Sequence, residues 1–416
     1  MKVLHIITSD TGGAGIGAIR QHLSLLDIGV DSKMLSCYKK SNSFDFIEAF
    51  PSIKPKSFIT RFSEKIGYFS NKYDLELMKA SKLGKPFAEG GTFELFSNPY
   101  SNLNINNHPL VKEADIINLH WTSGFLDIPS FFVSNKKPIV WTLHDMYPYL
   151  GGFHYDIDLE NNPTFKSLEE YYKKIKIKAL SNANYAVVGN SNWNTQKAAE
   201  STVFKNAKSF HTVYYPLLDS QFLPLEKNTA KSALNIPTHK FVIGFACENL
   251  SNPRKGYKHL LESLEMLPDN LKSNLLCLNF GSISTANNKI KNLETIELGS
   301  VSNPKLQSIV FAAMDLFIIP STAEAFGLTA MEAMVCKTPV LGNNIGGIPE
   351  MIKNDVTGFL FESSVSNSLL INLLKIIDLS LEKRQLIAEN GYYHIMKQHN
   401  SKDIGIKYKK IYQSFF

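Results

Sequence analysis

The sequence predicts an α/β protein made of two parallel sheets covered by helices. Three observations predict it. Short apolar, β-branched runs recur along the whole chain, longer stretches with helical spacing separate most of them, and a proline-bearing stretch with neither period divides the series near its middle. The runs are KVLHIIT, KMLSCY, DIINLHW, PIVWTLH, YAVVG and FHTVYY, then KFVIGFA, LLCLNF, TIEL, DLFIIP, PVLG and GFLF. GIGAIRQHLSLL, GYKHLLESLEML and LTAMEAMVC supply the helical periods. The divider is YYPLLDSQFLPLEKNTAKSALNIP, which carries three prolines and no sustained period before AKSALN. It reads as a linker between two sheets of about six strands each, with the boundary between Pro216 and Pro237.

The bulk properties fit that division. A chain of 416 residues and 46.7 kDa is long enough for two or three domains. With 44% hydrophobic and 20% charged residues it can bury a large core, which argues against a disordered, collagenous or coiled-coil chain. Its four cysteines, Cys37, Cys247, Cys277 and Cys336, show no C-x-x-C spacing and sit mostly in apolar runs. They read as reduced residues of a cytoplasmic protein, not as a disulfide scaffold or a structural zinc site. The opening MKVLHIITSDTGG is too briefly apolar for a secretory signal, and no stretch approaches a membrane span.

Residues 40–110 break the strand-helix rhythm. They are rich in Ser, Asn, Phe and Lys, and from 51 to 90 basic and aromatic residues interleave. Such a stretch is either a solvated helical excursion or a surface for an anionic membrane or an acceptor. The net charge of +6 suits an anionic partner without choosing one.

Two glycine clusters carry the chemistry. The first, IITSDTGGAGIGAIRQHL, follows the first strand, and Gly13, Gly15 and Ala18 fit the G-x-G-x-x-G/A spacing of a dinucleotide site. A nicotinamide site also needs an acid at the end of the second strand, where this chain has Lys39 and Lys40. A phosphate-facing turn at Gly13 and Ala14 and a turn required only for tight packing both stay open. The second cluster, PSTAEAFGLTAMEAMVCKTPVLGNNIGGIPEMI, is more specific. Glu324 lies in a loop after a strand, and Glu332 lies on the helix that starts near Gly327. Two carboxylates so placed suit the hydroxyls of a ribose and a hexose, and the N–H groups around Phe326, Gly327 and Leu328 suit the diphosphate between them. The alternative is a helix-dipole complement and a solvated helix residue.

This second cluster resembles the Glu-x7-Glu signature of retaining glycosyltransferase family 4, the group 1 glycosyltransferases. Pro320, Ser321, Glu324, Phe326, Gly327, Glu332, Ala333, Met334, Pro339, Val340, Gly346, Gly347, Ile348, Pro349 and Glu350 match it. The resemblance implies a GT-B fold, two Rossmann-like domains facing across a cleft. Domain one spans 1–215 and holds mainly the acceptor, domain two spans 216–395 and holds the donor, and a helix in 396–416 crosses back onto domain one. It further implies that Glu332 binds the donor ribose and Glu324 the donor sugar, and that Lys255 belongs to a diphosphate clamp. The family's Arg about five residues before that Lys is missing, Glu248 and Asn249 occupying the region, so Arg254 is expected to supply the charge. The resemblance places His144 near the donor sugar as a catalytic residue, with Asp145 to orient it; His120 and Trp121 are acceptor-wall candidates. Trp121 and Tyr147 suit sugar stacking or a core position, and His154 is expected to be structural. Asp156 and Asp158 form a D-x-D that lies in a loop, and no metal is expected, because Lys255, Arg254 and backbone amides at Gly13 and Gly327 suffice for a departing diphosphate.

The expected activity is a retaining, metal-independent transfer of a hexose-type sugar from a nucleoside-diphosphate-sugar to an acceptor hydroxyl, with no cofactor. The expected setting is bacterial cell-surface polysaccharide or lipopolysaccharide synthesis at the cytoplasmic side, with a saccharide or lipid-linked saccharide as acceptor, peripheral contact with anionic membrane, and no nucleic-acid partner. Three rivals remain: a sugar-nucleotide epimerase or phosphorylase of the same fold, a nicotinamide oxidoreductase on the first glycine turn, and a non-catalytic carbohydrate-binding protein.

Overall fold

The computed structural model describes residues 1–40, 44–51, 84–86, 90–218, 221–250, 252–281 and 290–416. The basic, aromatic stretch expected between 51 and 90 lies mostly outside these residues. Two units divide the chain: Met1–Pro216 with Lys402–Phe416, and Leu217–Ser401.

Unit 1 is a seven-stranded, wholly parallel sheet. Its strands are β1 (Lys2–Ser9), β2 (Asp31–Tyr38), β3 (Ile47–Ala49), β4 (Ile116–Leu119), β5 (Ile139–Leu143), β6 (Tyr185–Gly189) and β7 (Phe210–Thr212). They lie in the order β3-β2-β1-β4-β5-β6-β7. Strands β4, β5 and β6 are buried at every residue, as expected for parallel strands with helices on both faces. Strand β3 belongs to the stretch that broke the sequence rhythm and was not anticipated. It is only three residues long, with one buried position, and so lacks a readable period.

One face of this sheet is closed by the helix Ser401–Gln413. Its Ile404, Tyr408, Ile411 and Tyr412 pack with Val3, Ile116, Val140, Ala186 and Val188. The Tyr412 hydroxyl accepts a bond from Gln21 at 3.0 Å, and the Tyr408 hydroxyl lies 3.4 Å from that of Thr142. The return to unit 1 starts at Lys402 and not at 396, because the preceding helix, Leu381–Gln398, keeps Ile387 and Ile395 buried in unit 2.

Unit 2 is a six-stranded parallel sheet of β8 (Phe241–Cys247), β9 (Leu275–Gly281), β10 (Glu294–Glu297), β11 (Leu316–Ile319), β12 (Val340–Asn343) and β13 (Phe359–Phe361). The order is β10-β9-β8-β11-β12-β13. Its core joins Ile243, Phe245, Leu316, Ile318 and Leu341 of the sheet to Leu260, Leu264, Leu369 and Leu373 of the covering helices. Cys247, Cys277 and Cys336 are buried and free, and Cys37 is half-buried and free. Burial pushes the Cys277 and Cys336 thiols up to about 12.

In both sheets the strand order reverses about one pair of neighbours, β1 with β4 and β8 with β11. Ligands of open α/β sheets bind beyond the carboxyl ends of strands at such a reversal, where the two flanking loops diverge.

Candidate functional site

At the reversal of unit 2, the chain leaving β8 runs through Asn252 into a short turn, Pro253–Lys255. The chain leaving β11 runs through Pro320–Gly327 into the helix Leu328–Val335. The two segments are tied by backbone: Thr322 N–H donates to the Arg254 carbonyl at 2.8 Å. Two glycines make the approach possible. Gly256 has φ +70°, and a Cβ there would fall 2.0 Å from the Pro320 oxygen. Gly346 has φ +57°, and a Cβ would fall 1.9 Å from the Glu324 oxygen.

The charges meet on Glu324. Lys255 Nζ donates to Glu324 Oε2 at 2.7 Å, and Arg254 Nη1 stands 3.6 Å from the same oxygen while donating to the Ala323 carbonyl at 2.8 Å. Ser321 Oγ donates to Glu324 Oε2 at 3.4 Å. The Arg254 side chain is 9% exposed, that of Glu324 12% and that of Lys255 28%, so the cluster is desolvated on one side and open at the lysine. The sequence thus brings together Glu324, Lys255 and Arg254.

Glu332 sits one turn into the Leu328–Val335 helix and is buried. That helix starts at Gly327 (φ +100°) with no side-chain cap and no acid in its first turn, which leaves the positive end of its dipole without a protein counter-charge from its own first turn. The Phe326 ring is buried edge-on against His399, with centroids 5.5 Å apart, so a ligand meets this residue only through its backbone. Leu328 is the first helical residue.

Unit 1 places the first glycine cluster at its own reversal. The helix Gly12–Asp27 contains Gly13 and Ala14 in its first turn, again with no side-chain cap and no acid. Gly15 is required by packing: a Cβ would lie 2.5 Å from the Asp10 carbonyl carbon. At Gly17 a Cβ would strike the Tyr215 ring at 2.3 Å. Lys40, standing where a nicotinamide site needs an acid, donates its N–H to Asp10 Oδ1 at 2.8 Å.

Beyond β4 and β5 lie His120, Trp121, His144 and Asp145, all drawn into hydrogen bonds. His144 Nε2 is 2.9 Å from His120 Nδ1, and His144 Nδ1 is 2.5 Å from the Tyr215 hydroxyl. Burial lowers the His144 ring to about 4, against a smaller opposing pull from Asp145, and lowers His120 well below the ordinary value. Both rings are neutral at pH 7, and both nitrogens of His144 are taken.

Asp145 does not orient His144. Its Oδ2 accepts from Trp121 Nε1 at 2.8 Å and lies 2.6 Å from His154 Nδ1. Burial alone would raise this carboxyl, but His154, Trp121 and the Tyr147 N–H outweigh it and hold it below the usual range. His154 Nε2 in turn lies 3.0 Å from Ser97 Oγ. Tyr147 is buried, stacked on His154 with centroids 4.8 Å apart, and carries Lys176 Nζ 3.7 Å from its ring center, so it is no sugar platform. Trp121 is half-buried and keeps part of its ring accessible. The D-x-D lies in the first turn of the helix Asp156–Asn161 and not in a loop; Asp158 is buried and accepts from the Glu94 N–H at 3.2 Å.

Sequence reasoning missed the staple under this region. From the helix Lys166–Leu180, the buried Glu169 carboxylate accepts from the N–H groups of Gly151, Gly152 and Phe153. The buried Lys176 ammonium donates to the carbonyls of Tyr147 and Leu150 at 2.6 and 2.8 Å. In sequence both look like ordinary charges of a wet helix; only their spacing of seven, two turns on one face, hints otherwise.

Comparison with known proteins agrees with the second unit's geometry. Residues 226–394 match the family described as "Glycosyl transferases group 1". An uncharacterized 41.2 kDa protein in the cps region of Klebsiella pneumoniae is 25% identical over 262 residues, covering 62% of this chain and 67% of that one. N-acetyl-alpha-D-glucosaminyl L-malate synthase of Bacillus anthracis is 31% identical over 103 residues, covering 25% of this chain and only 27% of that protein's length. Sucrose-phosphate synthase of Thermosynechococcus elongatus has the same fold over 100% of this chain and 99% of its own, with a TM-score of 0.68 at 16% identity. Anabaena HepE in complex with UDP and glucose matches over 100% of both chains, with a TM-score of 0.66 at 16% identity. The fold is GT-B, and residues 226–394, within the second unit, carry the domain of the group 1 glycosyltransferases.

Proposed function

We propose that the chain is a retaining, metal-independent glycosyltransferase moving a hexose-type sugar from a nucleoside-diphosphate-sugar to a saccharide or lipid-linked saccharide hydroxyl, in cell-surface polysaccharide or lipopolysaccharide synthesis. The observation that carries this reading is the cluster of Lys255, Arg254 and Glu324 at the sheet reversal of unit 2, beside the uncapped helix start at Gly327. Two cations and a helix N-terminus with no acid in its first turn suit a diphosphate, and the open side is the lysine side. In the reaction these donors would stabilise the charge gathering on the leaving diphosphate. Glu332 would take the ribose and Glu324 the sugar. An acceptor would lie against His120, Trp121 and Asp145 of unit 1, of which half-buried Trp121 is the accessible part. HepE, of the same fold, has been seen in complex with UDP and glucose, and the relative from the cps region favours the cell-surface setting.

The test is a thermal-shift screen against UDP, GDP, ADP, CMP and NAD, each with and without EDTA, repeated on Glu332→Ala. A nucleoside diphosphate that raises the midpoint in EDTA, and raises it less in the variant, supports the reading and names the base. A shift with NAD alone would move the site to the first glycine turn and end it. Peripheral membrane contact is part of the proposal; flotation with anionic vesicles at moderate salt tests it, and absence of binding counts against it.

A further inference from the structure

We infer that a one-way chain of hydrogen bonds from His5 through His120 to His144 and Tyr215 locks His144 as a neutral N–H donor at Nδ1, with Asn118 and His120 as its positioning residues. The chain crosses three neighbouring strands: His5 on β1, Asn118 on β4 with His120 just past its end, and His144 just past β5. His5 Nδ1 is 2.8 Å from His120 Nε2, His120 Nδ1 is 2.9 Å from His144 Nε2, and His144 Nδ1 is 2.5 Å from the Tyr215 hydroxyl. Every link joins Nδ1 of one ring to Nε2 of the next. A neutral imidazole has one donor and one acceptor nitrogen, so neutral rings linked this way must all carry the proton on the same nitrogen. Burial keeps His5, His120 and His144 uncharged.

Asn118 chooses which nitrogen. Its amide nitrogen lies 2.7 Å from His120 Nε2 and 3.4 Å from His5 Nδ1; we assign its N–H to His120 Nε2, which then accepts from Asn118 and His5 in a shared bond and leaves the proton of His120 on Nδ1. The choice then propagates to His144, whose Nδ1–H points at Tyr215. The buried end of the chain agrees: among the described residues His5 Nε2 has no partner, and a bare lone pair there is easier to tolerate than an orphaned N–H. Asn190 Nδ2 also donates to the Tyr215 hydroxyl, at 3.1 Å, so that oxygen receives two N–H groups.

The consequence bears on what His144 does. Nε2 faces His120, which is itself buried, so a ligand oxygen can reach this ring only in the place of the Tyr215 hydroxyl, and it arrives there as an acceptor. His144 then serves as a hydrogen-bond donor to a sugar oxygen and not as a base. This rests on the transferase reading for the identity of the ligand, but the proton positions do not.

Long-range 1H–15N correlation spectra of the full chain, labelled with 15N at histidine, read the protonated nitrogen directly. Expected are Nδ1–H rings at His5, His120 and His144. In Asn118→Leu, His120 and His144 should become tautomer mixtures, and kcat/KM should fall about three- to tenfold, the worth of one misplaced hydrogen bond. Tyr215→Phe, which removes a single oxygen, should leave all three rings as Nδ1–H. A protonated Nε2 at His144 in the unsubstituted protein overturns the inference, as do unchanged tautomers in folded Asn118→Leu. If Asn118→Leu does not fold, the unsubstituted spectrum and Tyr215→Phe decide alone. A protein that turns over no sugar nucleotide would sink the transferase reading and leave these spectra to judge the chain.

Discussion

Unit 1 and unit 2 share a topology and place opposite chemistry at the same point of it. At the β8/β11 reversal stand Lys255, Arg254 and Glu324, charged and partly open to water. At the β1/β4 reversal and the neighbouring end of β5 stand His5, Asn118, His120 and His144, buried and neutral. Burying a charge costs far more than burying a bonded neutral ring, so the charged cluster stays near the surface while the neutral rings can be buried. The comparison teaches that equal folds need not share a mode of recognition.

Acid breaks the comparison most sharply. His5, His22, His120 and His144 are all held below the ordinary value, chiefly by burial, with His22 and His144 at about 4. The unfolded chain therefore binds protons that the folded unit refuses; stability is fully present above about 6.5 and is lost as pH falls from there towards 4, by about 1.4 kcal/mol per ring per pH unit. Unit 1 should lose its melting transition well before unit 2 between pH 6.5 and 5. Parallel decline of both transitions in a calorimetric pH series would refute it.

Next in size is Glu169→Ala. It leaves three buried N–H groups without their acceptor and Lys176 without the stronger of its two balancing carboxylates, and should cost about 3–5 kcal/mol, read as a shift of the unit 1 transition in urea. An unmoved unit 1 transition would mean that the staple is ornamental.

Lys255→Ala should act on the other side of the comparison. Turnover should fall about a hundred- to a thousandfold, the loss typical of one electrostatic donor at developing charge, with both unfolding transitions nearly in place. A variant that instead melts early and turns over normally would make Lys255 part of the scaffold.

The smallest effect should come from Lys375→Met. Its 2.8 Å pair with Asp355 lies with both side chains about half exposed, and its removal should change unit 2 stability by no more than about 0.5 kcal/mol in the same urea experiment. A loss above about 1 kcal/mol would show that exposed pairs matter in unit 2 as buried ones do in unit 1.

Much of the fold was legible because parallel strands buried on both faces are short apolar runs; YAVVG coincides with β6 residue for residue. Strand β3 was not, since three residues carry no period. The unit 2 cluster was legible because Pro320, Ser321, Glu324, Phe326, Gly327 and Glu332, with Lys255 and Gly256, match a known signature within two short segments. The unit 1 network was not: His5 sits inside KVLHIIT, Asn118 inside DIINLHW and Tyr215 in the linker, each the sort of residue a core or loop contains for other reasons. Asp145 was assigned to the wrong histidine because adjacency in sequence suggested His144, whereas both lie past the end of β5 and the following turn returns His154 to the carboxylate.

The helix Ser401–Gln413 has a consequence for how the molecule is made. Unit 2 is one continuous segment, whereas unit 1 takes its last core residues, Tyr408, Ile411 and Tyr412, from beyond it. During synthesis the first-made sheet must wait, with Val3, Ile116 and Val188 uncovered on one face, until some two hundred further residues have been added. The unit that is begun first is finished last, and for that interval its bare face is what a chaperone would hold.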